Sequence, residues 1–160
     1  PLADARGSVT EPRPSGGGWL AGISTATWPG RLELVSRNPE IILDGAHNPA
    51  GARALARYIS RFYSGPRVWL IYGSMRDKAV EEIEGTLFPL ATHIVATAPK
   101  FARSLRPNAL ASMWTGTNLR TAPDLERALE LVRRESQRND VVFITGSLFL
   151  VGEARALLVQ

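Results

Sequence analysis

The chain has 160 residues, 44% hydrophobic and 21% charged, which suits one folded domain and excludes wholesale disorder. It carries no cysteine and two histidines, so disulfides, a thiolate metal site and a cysteine nucleophile are all excluded. The net charge of +4 is spread along the chain, mostly as arginine interleaved with acids, so it reads as a solvated basic surface and not as a nucleic-acid footprint.

No apolar run reaches the ~18–20 residues that cross a bilayer, and no basic segment followed by an apolar stretch opens the chain. The expectation is a cytoplasmic monomer with no membrane and no nucleic-acid partner. Residues 1–18 are about half Gly, Pro and Ser with few apolar side chains, the composition of a flexible head or linker. A single domain is expected over 19–160.

Past Trp28-Pro-Gly, residues 31–36 alternate and read as a strand, and Ile41-Ile-Leu43 is a short apolar strand ending at Asp44. Asn48-Pro49 has the form of a helix start, an Asn cap followed by Pro at the first helical position. Leu55, Tyr58, Ile59 and Phe62 then recur at helical spacing, which predicts an amphipathic helix with these four on its inner stripe. Val68-Trp-Leu-Ile-Tyr72 is a buried strand. A helix from about Asp77, with Asp77 as its cap, carries Val80, Ile83 and Leu87 on one face. A strand at 93–97, a short helix near 108–114 and a short strand near 118–120 follow. The next helix opens at Pro123 with Leu125, Ala128, Leu129 and Val132 inward. Val141-Val-Phe-Ile144 is the last strand, and Ser147 caps a final helix to about Leu158.

Strands alternating with helices predict an α/β fold, a doubly wound, mostly parallel, Rossmann-like sheet of about six strands with helices on both faces. Ligands of such sheets sit beyond the carboxyl ends of the strands. That rule selects the loops 44–48, 73–78, 97–106 and 145–147.

These loops hold the polar candidates. Asp44-Gly-Ala-His-Asn-Pro49 is the densest cluster. Asp44 can accept from a ribose or fix a loop, His47 is a switchable donor, and the amides after Asn48 suit an anion; an Asx turn with a helix cap is the structural alternative. Arg31 can stack on an adenine or pair with phosphate, or it is an ordinary surface arginine. Lys78 at a helix start can meet a phosphate or a carboxylate. Arg103 can grip a carboxylate in bidentate fashion. Ser147 can donate to an anion or only cap its helix. A phosphate-binding G-x-x-x-x-G-K-[ST] loop, a G-x-G-x-x-G fingerprint and a nucleophile elbow are all missing, so the chain reads as one part of a larger active site.

Trp28-Pro-Gly-Arg-Leu-Glu33, then Ile41-Ile-Leu-Asp-Gly-Ala-His-Asn-Pro49-Ala-Gly-Ala, then Thr145-Gly-Ser-Leu-Phe-Leu-Val-Gly-Glu153 closely resemble the C-terminal domain of folylpolyglutamate synthase/dihydrofolate synthase enzymes of the Mur ligase family. Gly73-Ser-Met-Arg-Asp-Lys78 and Arg103-Ser-Leu105 fall in order between them, and the resemblance runs from about Trp19 to Leu158. It implies one domain of an ATP-dependent amide-bond ligase that adds L-glutamate to dihydropteroate or folate through an acyl phosphate. It also implies that ATP, with Mg²⁺ on ligands outside this chain, is shared with further domains that hold the pteroate or folate. By the same resemblance Arg31, Asp44 and Lys78 face the nucleotide, while His47 lies near the reacting centre and the incoming glutamate. Arg103 and Ser147 are assigned to the glutamate site, with His47 and Ser147 as the catalytic pair. The alternative from a different class is a non-catalytic nucleotide- or anion-binding α/β module.

Overall fold

The computed structural model describes residues 28–76 and 79–159. The head expected at 1–18, the domain start at Trp19, and Asp77 and Lys78 lie outside them. Six strands form one sheet: β1 (Glu33–Arg37), β2 (Glu40–Leu43), β3 (Val68–Tyr72), β4 (His93–Ala96), β5 (Leu119–Thr121) and β6 (Val141–Thr145). Their order is β1-β2-β6-β3-β4-β5. Only β1 runs antiparallel, pairing with β2 at one edge; the other pairings are parallel. Among the described residues five α-helices accompany them: α1 (Pro49–Phe62), α2 (Val80–Leu87), α3 (Pro107–Met113), α4 (Leu125–Glu135) and α5 (Leu148–Leu158).

The strands alternate their side chains between two cores. Ile42, Leu70, Tyr72, Ile94 and Phe143 face α1, α2 and α3, while Leu43, Trp69, Ile71, Val95 and Ile144 face α4 and α5. Strands buried on both faces read as continuous apolar runs, which is why β3 and β6 are buried at every position. The expected fold class is the observed one.

Several local expectations hold in detail. Asn48 caps α1, its side-chain oxygen accepting from the Gly51 amide at 2.8 Å with Pro49 at the first position. Ser147 caps α5 by accepting from the Phe149 amide at 3.1 Å. The inner stripe of α4 is buried at all four expected positions.

Three expectations need correction. The first strand begins at Glu33, two residues late, because Gly30 and Leu32 both adopt positive φ (+71° and +48°) and extend the turn. Phe62, placed on the inner stripe of α1, is 58% exposed. The helix ends there, and its ring packs on Tyr58 with the Arg61 guanidinium above it. Helix α2 starts at Val80 with Ala79 at the cap position and no side-chain cap, where an Asp77 cap was expected.

Candidate functional site

Strands β2 and β6 are neighbours, yet the helices that follow them depart to opposite faces, α1 to one and α5 to the other. The chain thus leaves the two strands toward opposite faces, and the carboxyl side of such a divide is where a doubly wound sheet takes its ligand. A crevice of about 470 Å³ lies there. Its walls are the 29–32 turn, the 44–48 loop, the first turns of α1 and Leu148 at the start of α5.

Backbone bonds lock these walls together. Gly45 N–H donates to the Gly30 carbonyl at 2.7 Å, Asp44 N–H to Ile144 at 3.1 Å, and Gly146 N–H to Ala46 at 3.1 Å. Gly45 sits close under Leu148, whose Cδ2 would have to swing aside from a Cβ placed there at 2.5 Å. The 29–32 turn is held from below as well. Glu33 accepts from the Gly30 amide and is paired with Arg155 of α5.

Asp44 is the hinge of this arrangement. One carboxylate oxygen accepts from Ala46 N–H at 3.0 Å and the other from Leu32 N–H at 3.1 Å. The second bond holds Leu32 in its left-handed conformation, a backbone state of the kind that clusters at ligand sites. Burial raises the Asp44 pKa above the usual aspartate value and outweighs the two amide bonds and the Arg31 charge, which pull it down. Each oxygen keeps a lone pair beyond the bond it makes.

His47 is half-buried in the crevice wall. Its Nδ1 sits 2.7 Å from the Gly45 carbonyl, which makes Nδ1 the protonated nitrogen and leaves Nε2 available as the acceptor of the neutral ring. Arg31 is exposed on the opposite wall and acts on Asp44 through its charge. Arg31, Asp44 and His47 are thus brought together in one cleft.

The other candidates are placed differently. Ser147 is 2% exposed and its hydroxyl accepts from the α5 amide, so Leu148 and not Ser147 lines the cleft. Arg103 is exposed in the 97–106 loop and outside the crevice walls. That loop is tied to the end of β3 instead: Arg76 N–H donates to the Arg103 carbonyl, Leu105 N–H to Ser74, and Met75 bridges Ser104. Lys78 lies outside the described residues. The sequence reading missed Leu148, 59% exposed beside the buried cap; a large apolar residue directly after an N-cap Ser was the available signal. Among the described residues no three His, Asp or Glu side chains converge on a point that could hold a metal ion.

Known proteins share this fold. Residues 30–148 match the family described as "Mur ligase, glutamate ligase domain". The chain belongs to the Mur ligase family. A Haloferax volcanii relative, named a probable bifunctional folylpolyglutamate synthase/dihydropteroate synthase, is 34% identical over 84% of this chain and 16% of its own length. The Mycobacterium tuberculosis folylpolyglutamate synthase, solved with ADP and AMPPCP, superposes with a TM-score of 0.77 at 30% identity, over 88% of this chain and 34% of that one. A bifunctional folylpolyglutamate synthase/dihydrofolate synthase solved with Mn, AMPPNP and L-glutamate superposes with a TM-score of 0.76 at 28% identity, over 84% of this chain and 32% of that one. The chain therefore spans between 16% and 34% of the length of these proteins.

Proposed function

We propose that this chain is the C-terminal, glutamate-accepting domain of an ATP-dependent ligase that joins L-glutamate to a dihydropteroate or folate carboxylate. The observation that carries the reading is the convergence of Arg31, Asp44 and His47 on one crevice at the β2/β6 divide of a glutamate ligase domain. The M. tuberculosis enzyme binds ADP and AMPPCP, and the same kind of ligand suits this cleft. Arg31 provides a planar cation at its rim, and α1 points its amino terminus at it with no acid in the first turn.

In this reading the substrate carboxylate attacks the γ-phosphoryl group of ATP, giving an acyl phosphate and ADP. The glutamate amine then attacks the acyl carbon, phosphate leaves, and the amine loses a proton. Arg31 and Asp44 hold the nucleotide. His47 presents Nε2 to the incoming amine and steadies charge as it develops. Arg103 grips a glutamate carboxylate once the loop bearing it meets the other domains, and Lys78 works at the nucleotide end. Ser147 holds the start of α5 through its cap, and donating its own hydroxyl proton to glutamate is compatible with that bond. A divalent ion such as Mg²⁺ neutralises phosphate charge in this chemistry, and its protein ligands come from outside the described residues. The protein works as a monomer in the cytoplasm.

The test is the His47→Ala variant of the intact ligase. A direct role at the amine predicts a 10²–10³-fold loss of kcat, about 3–4 kcal/mol, with KM for ATP retained. Wild-type kcat and KM for glutamate in the folded variant would remove His47 from the reaction. The 160-residue chain alone should show no ligase activity and bind ATP on the order of 1 mM, because most phosphate contacts lie elsewhere.

A further inference from the structure

Outside the groups used above, two buried polar side chains lie near each other: Glu84 sits one helical turn before Phe88, whose ring packs against Tyr72. Tyr72 at the end of β3 is fully buried and Glu84 on α2 is 3% exposed. Neither Tyr72 Oη nor Glu84 Oε1 has a hydrogen-bond partner among the described residues. Buried polar atoms are nearly always paired, so two unpaired ones so near each other call for a reason. The Tyr72 ring supplies it. Gly146 has φ +101°, and a Cβ on it would stand 2.5 Å from Tyr72 Cε2 and 2.7 Å from the Gly73 carbonyl. The ring is therefore the floor on which the turn before Ser147 rests, braced on its other side by an edge-on contact with Phe88 at 5.1 Å.

We propose that Tyr72 and Glu84 are positioning residues for the 145–147 turn, a proton-dependent prop beneath Gly146. With its proton, Glu84 is a neutral acid that the apolar pocket tolerates. Without it, the carboxylate must draw a donor, and the Tyr72 phenol lies within reach of its charge. Drawing the phenol moves the ring, and the ring has no slack against Gly146.

The surroundings fit such a switch. Burial, and next the charge of Glu81 on the same helix, raise the Glu84 pKa to about 7. Burial also raises that of Tyr72, so the phenol stays protonated throughout and remains a donor. On α1, Arg53 reaches across to α2 but pairs with Glu82 at 2.8 Å. The 88–90 turn and α3 contribute Phe88 and Leu110 to the surrounding core.

The inference extends the proposed glutamate site, and rests on that reading only for its effect on catalysis. The direct test needs no catalysis. Amide shifts of Gly146 and Ser147 are followed by NMR in the 160-residue chain from about pH 5.5 to about pH 8.5, in a His47→Gln background that removes the nearby imidazole. The expected result is one titration with a midpoint near 7, lost on adding Glu84→Gln and at least halved in amplitude by Tyr72→Phe. Flat amide shifts, or a titration that survives Glu84→Gln, overturn the proposal. Should Glu84→Gln fail to fold, the Glu84 carboxyl carbon is followed alongside the amides without that substitution. Coincident midpoints then support the prop, and separate ones overturn it. In the intact ligase, KM for glutamate should rise with pH through 7 in the wild type and stay flat in Glu84→Gln. A coupled titration without that rise would remove glutamate from this turn and leave the prop standing.

Discussion

Asp44 and Asp140 are aspartates at opposite edges of the same sheet, Asp44 just after β2 and Asp140 just before β6. Both are desolvated, and both bond to backbone amides. Burial is the largest influence on each, and in each it raises the pKa. They nevertheless titrate in opposite directions. At Asp140 burial is overcome: Arg67 grips both oxygens at 3.0 and 2.7 Å, and Trp69 Nε1–H and Gln137 N–H add to that, so the carboxyl sits below its usual range. At Asp44 burial wins over two amides and the charge of Arg31. An acid whose partners outweigh its burial is a bolt that ties strands together. One whose partners fall short, at the mouth of a crevice, holds bonding capacity for something further.

The bolt can be broken most severely. Asp140→Ala leaves the Arg67 guanidinium, the indole N–H and the Gln137 amide without their acceptor. It should cost about 3–4 kcal/mol in urea unfolding of the chain, while the crevice of the folded fraction keeps its ligand affinity. A loss under about 1 kcal/mol would show that Asp140 bolts nothing.

The glycine of the 145–147 turn should rank next. Gly146→Ala places a methyl against the Tyr72 ring and the Gly73 carbonyl at φ +101°, so the expected cost is about 2–3 kcal/mol, read as a lower Tm. Unchanged stability there would mean the floor beneath the 145–147 turn is soft, against the close packing described.

Removing the Asp44 charge separates the two acids by pH. Because its pKa is raised in the folded state, the ionised form costs stability, and that cost appears as pH rises through the folded value. Asp44→Asn should therefore flatten the stability profile on that limb, losing about 1 kcal/mol near pH 3 and less at pH 7. Asp140 has the opposite sign. Its contribution is present above the unfolded value and lost as pH falls through the lowered one, so Asp140→Asn flattens the acid limb instead. In the intact ligase, Asp44→Asn should raise KM for ATP about tenfold and leave KM for glutamate alone, an expectation that holds only if the spare capacity of Asp44 serves the nucleotide.

The smallest change should be a gain. Gly85 lies exposed inside α2, and a Cβ there meets nothing within 4 Å. Gly85→Ala should add about 0.5–1 kcal/mol without touching either acid, measured by the urea midpoint.

Much of this molecule was legible because its determinants are local. Asn48 and Ser147 each accept from an amide two or three residues on, so these two helix starts stand in the sequence as plainly as in the fold. The same holds for the apolar runs of β3 and β6, whose burial on both faces leaves no polar position. The 44–48 loop, too, was recognisable as a candidate from its place after a strand and before a capped helix, and it does wall the crevice.

What the tertiary structure decided depends on groups far apart in the chain. The second amide on Asp44 comes from Leu32, twelve residues upstream, and that bond helps hold the turn that makes the first strand begin late. Arg103 and His47 both sit in loops at the carboxyl edge, and nothing in their spacing says that only His47 enters the crevice; the bonds from 73–76 to 103–105 draw Arg103 aside. Tyr72 reads as the last apolar residue of a strand and Glu84 as an ordinary helix acid. Their isolation from water arises when β3, α2 and the Gly146 turn close around them, and desolvation is set by neighbours that the sequence does not place side by side.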